Sequence, residues 1–438
     1  MPALHLQLED RISRFDLFEC LESYQYAARA PREQISTKPQ ASVSLDLDNQ
    51  WSYMKTHGDA SWKSFPSYFS IFVPHVLREL RRRDLVITFF IVGQDAALKK
   101  NEEYLRAIAE AGHEIGNHSF HHEPWLQFYS KAEIENEILR AEDEILRVTG
   151  VKPRGFRGPG FSWSPALLEA LHANGYRYDA STLPTYLGPL ARAYYFHSAK
   201  LSKEERQLRK ELFGKFSDGL RPAQPYYWRL NAKDHLLEIP VTTMPLFKVP
   251  FHLSYLLYLS RISRALMRFY LRTAITLCRI TNTAPSFLLH PLDLIGGDQA
   301  RELAFFPGME VASDRKLEVF DEVMSTLAEH FELVDMRTHA AAIARRQDVQ
   351  VRAIEAAAAS SRVLPTVNER SFSNVCKNLS SCSKHNSFGE MYSGTGEAPY
   401  QDDILRGARN AGTTSNHEDD DESRLCNTGA TPRFREKR

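Results

Sequence analysis

Cysteine is scarce. The five residues, at 20, 278, 376, 382 and 426, follow no regular spacing in a chain of 438. An odd, scattered set excludes a disulfide framework as the main support of the fold. Cys376 and Cys382 lie in Ser-rich sequence with no second Cys/His pair beside them. A structural zinc normally takes four ligands, so these two read as free thiols. Long apolar runs are missing too. The longest uncharged apolar stretch, 249–260, falls well short of the ~20 residues a membrane-spanning helix needs. The opening residues, MPALHLQLEDRISRFDLF, turn acidic early and hold no apolar run of a secretory leader. A cytoplasmic location is the expectation. An excess of one charge is also absent: 55 Lys and Arg balance 55 Asp and Glu. No basic surplus points to nucleic acid.

What remains is ordinary soluble material, 43% hydrophobic and 25% charged, enough for a sizeable core. Residues 1–40 read as a helical lead-in and a polar stretch. A regular alternation follows. Strands are expected at 41–48, 85–92, 113–117, 154–157, 176–181, 236–243, 286–290 and 331–334. Helices are expected at 67–83, 102–111, 131–149, 165–174 and 316–330. Strand and helix in turn imply a parallel sheet, open or closed into a barrel. Two stretches exceed a minimal unit. Residues 183–230, long, aromatic and basic, read as an insertion, and 250–282 as a helical one. In the second, Arg261, Arg264, Arg268 and Arg272 recur at helical spacing and form a basic stripe. Such a stripe is a solvated face or a peripheral contact for anionic lipid. From 346 onward apolar residues thin out and the tail 346–438 is expected to be disordered.

Four segments carry chemistry. Ser44-Leu45-Asp46-Leu47-Asp48 ends a strand, and alternation puts Asp46 and Asp48 on one face. Paired carboxylates at such an end repel unless a cation or a proton lies between them. His118-Ser119-Phe120-His121-His122 follows the next-but-one strand. On a helical turn the four-residue spacing would put His118 and His122 on one side, and imidazole pairs suit zinc and similar ions. His121 should point away from them. Gly155-Phe156-Arg157-Gly158-Pro159-Gly160-Phe161 is a Gly-rich turn that lets backbone approach a ligand. In Phe287-Leu288-Leu289-His290-Pro291 a buried strand ends in a histidine whose backbone Pro291 holds extended. A histidine so fixed suits acid–base work.

In this order, over about 41–345, the segments SLDLD, ITFFIVG, GHEIGNHSFHH, RGPGF, YDAST and LLHP resemble the polysaccharide deacetylase family, the NodB-like domain of carbohydrate esterase family four. The LDLD form looks like its Asp-x-Asp branch. The resemblance implies a distorted (β/α) barrel of about seven parallel strands. It implies a metal-dependent hydrolase of an amide C–N bond, acting on an N-acetylated sugar, polysaccharide or glycolipid precursor. By the same resemblance Asp48, His118 and His122 hold a divalent metal: zinc, or Co²⁺, Ni²⁺, Mn²⁺ or Fe²⁺. Asp46 would be the base, Arg157 its restraint and His290 the acid. Gly160, Phe161 and Asp179 would border the substrate. A cytoplasmic hydrolase of a small amide, ureide or imide, allantoinase-like, keeps the same fold and chemistry. A non-catalytic carbohydrate-binding protein would keep the fold alone. Haloacid dehalogenase-like phosphatases and Asp-x-Asp glycosyltransferases share only Asp46-Leu47-Asp48 and leave the histidines unexplained.

Overall fold

The computed structural model describes residues 38–188 and 216–354. The first strand, β1 (Gln40–Leu47), alternates strictly. Ser42, Ser44 and Asp46 fall on one side, and Val43, Leu45 and Leu47 on the other. Helix α1 (Gln50–His57) starts at once, with the Asn49 side chain accepting the Gln50 N–H as its cap. There follow α2 (Phe69–Arg82), β2 (Thr88–Ile91), α3 (Glu102–Glu110) and β3 (Glu114–Asn117). Next is α4 (Lys131–Thr149), opened by a reciprocal Ser130–Glu133 capping box and closed by Gly150 at φ 72°. Then come β4 (Gly155–Phe156), α5 (Pro165–Ala173) and β5 (Tyr178–Asp179). Strands β6 (Tyr226–Arg229) and β7 (His235–Glu238) form a hairpin, and β8 (Thr243–Met244) with β9 (Val249–Pro250) a smaller one. Helices α6 (Leu253–Ile262) and α7 (Arg264–Ile280) precede β10 (Ser286–Leu289). Helix α8 (Ser313–His330), β11 (Glu332–Val334), α9 (Met336–Ala344) and β12 (Gln350–Ala353) end the described chain.

Strands β10, β1, β2, β3, β4, β5 and β7 lie side by side in that order, each pair parallel. This is the expected seven-stranded parallel arrangement. Its two ends are stitched where the Thr242 N–H donates to the Ser286 carbonyl at 3.0 Å and the Ser286 N–H to Thr242 Oγ1 at 2.8 Å. Outside the sheet, Val43, Leu45, Leu47, Phe89 and Ile91 pack with Phe72, Val76, Ile108, Leu271 and Phe320 of the surrounding helices. Inside, Phe90, Tyr178 and Ile239 meet Met336, Ala340 and Ile343, so α9 plugs one end. Ser42 Oγ to His339 Nδ1, at 2.8 Å, ties the plug to β1.

Three expectations need correction. The insertion 183–230 ends in β6, which joins the sheet antiparallel to β7. The domain does not stop at 345, because β12 pairs in parallel with β6 and Ile354 is buried beside Trp228 and Leu236. The arginine stripe does not run along one helix. Ser263, in extended conformation (φ −163°), separates α6 from α7, and Arg261 stands on a different helix from the rest. The lead-in 1–37, the middle of the insertion (189–215) and 355–438 lie outside the described residues.

Candidate active site

Parallel strands send their C-terminal ends to one rim, where sites in such folds form. β1 delivers Asp46 and, one residue past its end, Asp48. β3 delivers His118, β4 delivers Arg157 and β10 delivers His290.

The donor atoms of Asp48, His118 and His122 all lie within 4.8 Å of one another. Asp48 Oδ1 is 2.9 Å from His122 Nε2 and 3.6 Å from His118 Nε2. The two imidazoles do not share a helical turn. Residues 118–122 form a loop, with Ser119 at φ 60° and His122 at φ 54°. The Ser119 N–H goes to the Asn117 side chain, and the Phe120 and His121 N–H groups go to Glu137. The left-handed backbone at Ser119 and His122 breaks a helical turn, and those bonds hold the loop in place. His121 turns away, as expected, with Nδ1 2.5 Å from Glu137 Oε1.

This set fits a divalent cation. His118 Nδ1 sits 2.6 Å from the Arg157 carbonyl. The proton therefore stays on Nδ1, and the Nε2 lone pair is free for an ion. Burial opposes the charge of Asp48, yet His122, His118 and His290 beside it hold its pKa down at about 2. It is a carboxylate at any working pH. Its Oδ1 is buried without a well-directed hydrogen bond, as befits a ligand atom.

Arg157 is wholly buried. Its Nη1 donates to Asp46 Oδ1 at 2.7 Å and to Ser44 Oγ at 2.9 Å, and its Nε donates to the Ala180 carbonyl at 3.1 Å. Its guanidinium lies 4.3 Å over the Phe90 ring. Asp46 is thus fixed by a cation that cannot itself be deprotonated. On the neighbouring strand β10, His290 is backed by Asp293. The His290 N–H donates to Asp293 Oδ2 at 2.9 Å, and His290 Nδ1 lies 3.7 Å from the same oxygen and 3.5 Å from Ser254 Oγ. Burial would strip the imidazole of its proton, but Asp293 first, then Asp46 and Asp48, raise its pKa to about 9.

Residues 40–178 match the family model described as polysaccharide deacetylase. Over these residues the chain is similar to that family. The deacetylase relatives are matched over short spans. A peptidoglycan-N-acetylglucosamine deacetylase of Bacillus cereus is 34% identical over 88 residues, 20% of this chain and 31% of the relative. A peptidoglycan deacetylase of Helicobacter pylori is 30% identical over 111 residues, 25% of this chain and 37% of the relative. The chain thus spans about a third of the length of these curated relatives. A solved polysaccharide deacetylase-type structure from Mycobacterium smegmatis, 19% identical, covers 77% of this chain and 98% of its own at a TM-score of 0.47.

The remaining expected site residues fall less neatly. Gly160, at φ 60°, turns the chain where an added Cβ would strike Pro124, and Phe161 is half-buried beside it. Asp179 does not face the rim. It is fully buried, 2.5 Å from Ser181 Oγ, which accepts the Gly158 N–H at 2.8 Å. Its effect reaches the Arg157 turn through Ser181. Sequence reasoning missed Asp293, although His-Pro-Leu-Asp has the three-residue spacing of a cap. It also missed Asp95, which accepts from Asn49, Trp51 and Asn101 at 2.7–3.0 Å and ties α1 to the loop after β2. No local pattern marks a carboxylate whose partners come from two other segments.

Proposed function

We propose that this domain hydrolyses the amide of an N-acetylated sugar, within a polymer or a glycolipid precursor, with a divalent metal at Asp48, His118 and His122. The observation that carries the reading is that an Arg-held carboxylate and an Asp-backed imidazole, at the ends of the paired strands β1 and β10, share a rim with the three ligands. Asp46 is a carboxylate held by Arg157, and His290 is an imidazole held protonated by Asp293. Amide hydrolysis needs a base for the attacking water and an acid for the departing nitrogen.

A metal bound there would polarise the acyl oxygen and make water more acidic at neutral pH. Zinc suits two imidazoles and a carboxylate, and Co²⁺, Ni²⁺, Mn²⁺ and Fe²⁺ suit them too. Asp46 takes the proton from the attacking water, and Arg157 keeps its second oxygen from swinging away. His290 gives its proton to the amine nitrogen as the C–N bond breaks, leaving acetate and a free amino sugar. Asp293 keeps that proton available. The aromatic rim supports a sugar ligand: Trp62 and Phe65 lie beside Trp51, whose ring is 6.4 Å from that of His122. Phe305 stacks on His57 at 3.9 Å. The test is a substrate screen of metal-loaded protein against N-acetylated sugar oligomers, lipid-linked N-acetyl sugars and ureides. Turnover of the sugars carries the proposal, and turnover of ureides alone would replace it.

A further inference from the structure

Helices α6 and α7 show a charge bias found in no other pair of helices here. From 251 to 282 there are five arginines and no Asp, Glu or Lys. Three of the five are spent within the fold. Arg261 pairs with Glu310, and Arg264 and Arg268 pair with Glu322 of α8. Arg272 and Arg279 have no acidic partner among the described residues. Both stand on the solvent side of α7, where Ala265, Phe269, Arg272, Thr276, Arg279 and Ile280 fall within one narrow sector at 100° per residue. The opposite side, Met267, Leu271, Ala274, Ile275 and Cys278, is buried in the main core.

That solvent side carries apolar bulk. Phe269 is 70% exposed and Ile280 75%, with Leu266 at its margin. They are three turns apart, roughly 16 Å, with Arg272 and Arg279 between them. Just before the helix, Ile262 and Tyr258 of α6 are 63% and 60% exposed. The β8–β9 hairpin, which packs against α7, also shows Leu246 and Phe247 at its tip. Leaving so many large apolar side chains in water along one element marks a contact surface. Free cations interleaved with apolar prongs, with no acid on the element, match an anionic lipid surface: the side chains enter the acyl boundary and the guanidinium groups meet phosphates. A protein partner would have to supply acids spaced to the two arginines, whereas a lipid surface supplies them anywhere.

We propose that the outer face of α7, through Phe269, Arg272, Arg279 and Ile280, seats this protein on anionic membranes. Of the stripe 261–272 this keeps Arg272 alone and moves lipid contact away from Arg261, Arg264 and Arg268, whose cations are already paired, to the far part of the helix. The surface reaches back to the site, because α6 begins beside His290 through Ser254.

The test is co-sedimentation of the full chain with vesicles of phosphatidylglycerol and phosphatidylcholine, and with phosphatidylcholine alone. Binding should require the anionic lipid and weaken as salt is added. Arg272→Gln with Arg279→Gln should weaken it about thirtyfold, the loss expected of two cations at a charged surface. Phe269→Ser with Ile280→Ser should weaken it comparably. Arg261→Gln with Arg264→Gln should change it little. Each variant's melting temperature reports whether it folds, and the two exposed pairs should leave it unchanged. No binding to anionic vesicles at low salt would overturn the proposal. So would binding indifferent to both outer-face pairs. Self-association in sedimentation velocity that Phe269→Ser abolishes would overturn it in favour of a second copy on this face. The readout is binding, so it stands or falls apart from the catalytic reading.

Discussion

His290 and Asp46 should separate cleanly from the three ligands when replaced. Asp46→Asn keeps Asp48, His118 and His122 and should bind metal as the native protein does. Its kcat should fall by about 10²- to 10⁴-fold, the range for a lost general base; metal analysis beside turnover checks this, and loss of the metal would exchange the roles of Asp46 and Asp48. For His290 the sign runs through its protonated form. An acid works while it holds its proton, and Asp293 extends that condition upward to about pH 9. Activity should therefore decline on the alkaline side well above 6.5. Asp293→Asn removes the largest upward influence and should draw that limb down toward the ordinary imidazole value. An alkaline limb unmoved by Asp293→Asn would deny the pair its role.

At the scale of elements, the sequence was most readable where local signals agree. Helix α4 was legible over 131–149 as a charged amphipathic run that stops at Gly150, and the Ser130–Glu133 capping box is the structural reason it starts there. β1 was legible as alternation, and it placed Asp46 and Asp48 on the correct rim. The loop 118–122 was misread as a helical turn because Ser119 and His122 are left-handed, in a loop pinned by Asn117 and by Glu137, a whole helix away. β12 was missed because its four residues are all exposed and give no apolar pattern. Its contribution is testable. A chain ending after Ile354 should melt like the full chain. One ending after Arg345 loses β12 and the burial of Ile354, which is worth about 1.5–3 kcal/mol. Its melting temperature should fall by several degrees, at about 2–4 °C per kcal/mol. Equal melting of the two would make β12 dispensable.

The molecule as a whole buries many titratable groups, and their pKa shifts set opposite pH trends. Burial raises Asp95 and Glu114 to about 7 and Asp179 to about 6, and with Asp179 beside it raises Glu238 further. Groups with raised folded pKa lose stability as pH climbs through those values. Burial lowers His113 and His339 to about 4 and His252 to about 3, which costs stability as pH falls below 6.5. Between pH 5 and 7 the two sets offset each other. Above 7 Glu238 and His290, both raised, still lower stability, until Lys248 and Lys316, which burial lowers to about 8, begin to oppose them. Metal-free protein should therefore show a melting temperature nearly flat from pH 5 to 7 and falling from 7 to 8. A rise over that upper interval would contradict these assignments.

The account rests most heavily on a metal held by Asp48, His118 and His122 driving deacetylation. The direct measurement is acetate released from an N-acetylglucosamine oligomer as zinc is titrated into chelator-stripped protein. Release should be absent at the start, rise with zinc and level off at one equivalent, and His118→Ala should stay silent at that loading. Release that survives stripping, or none with zinc, cobalt, nickel, manganese or iron, would contradict it.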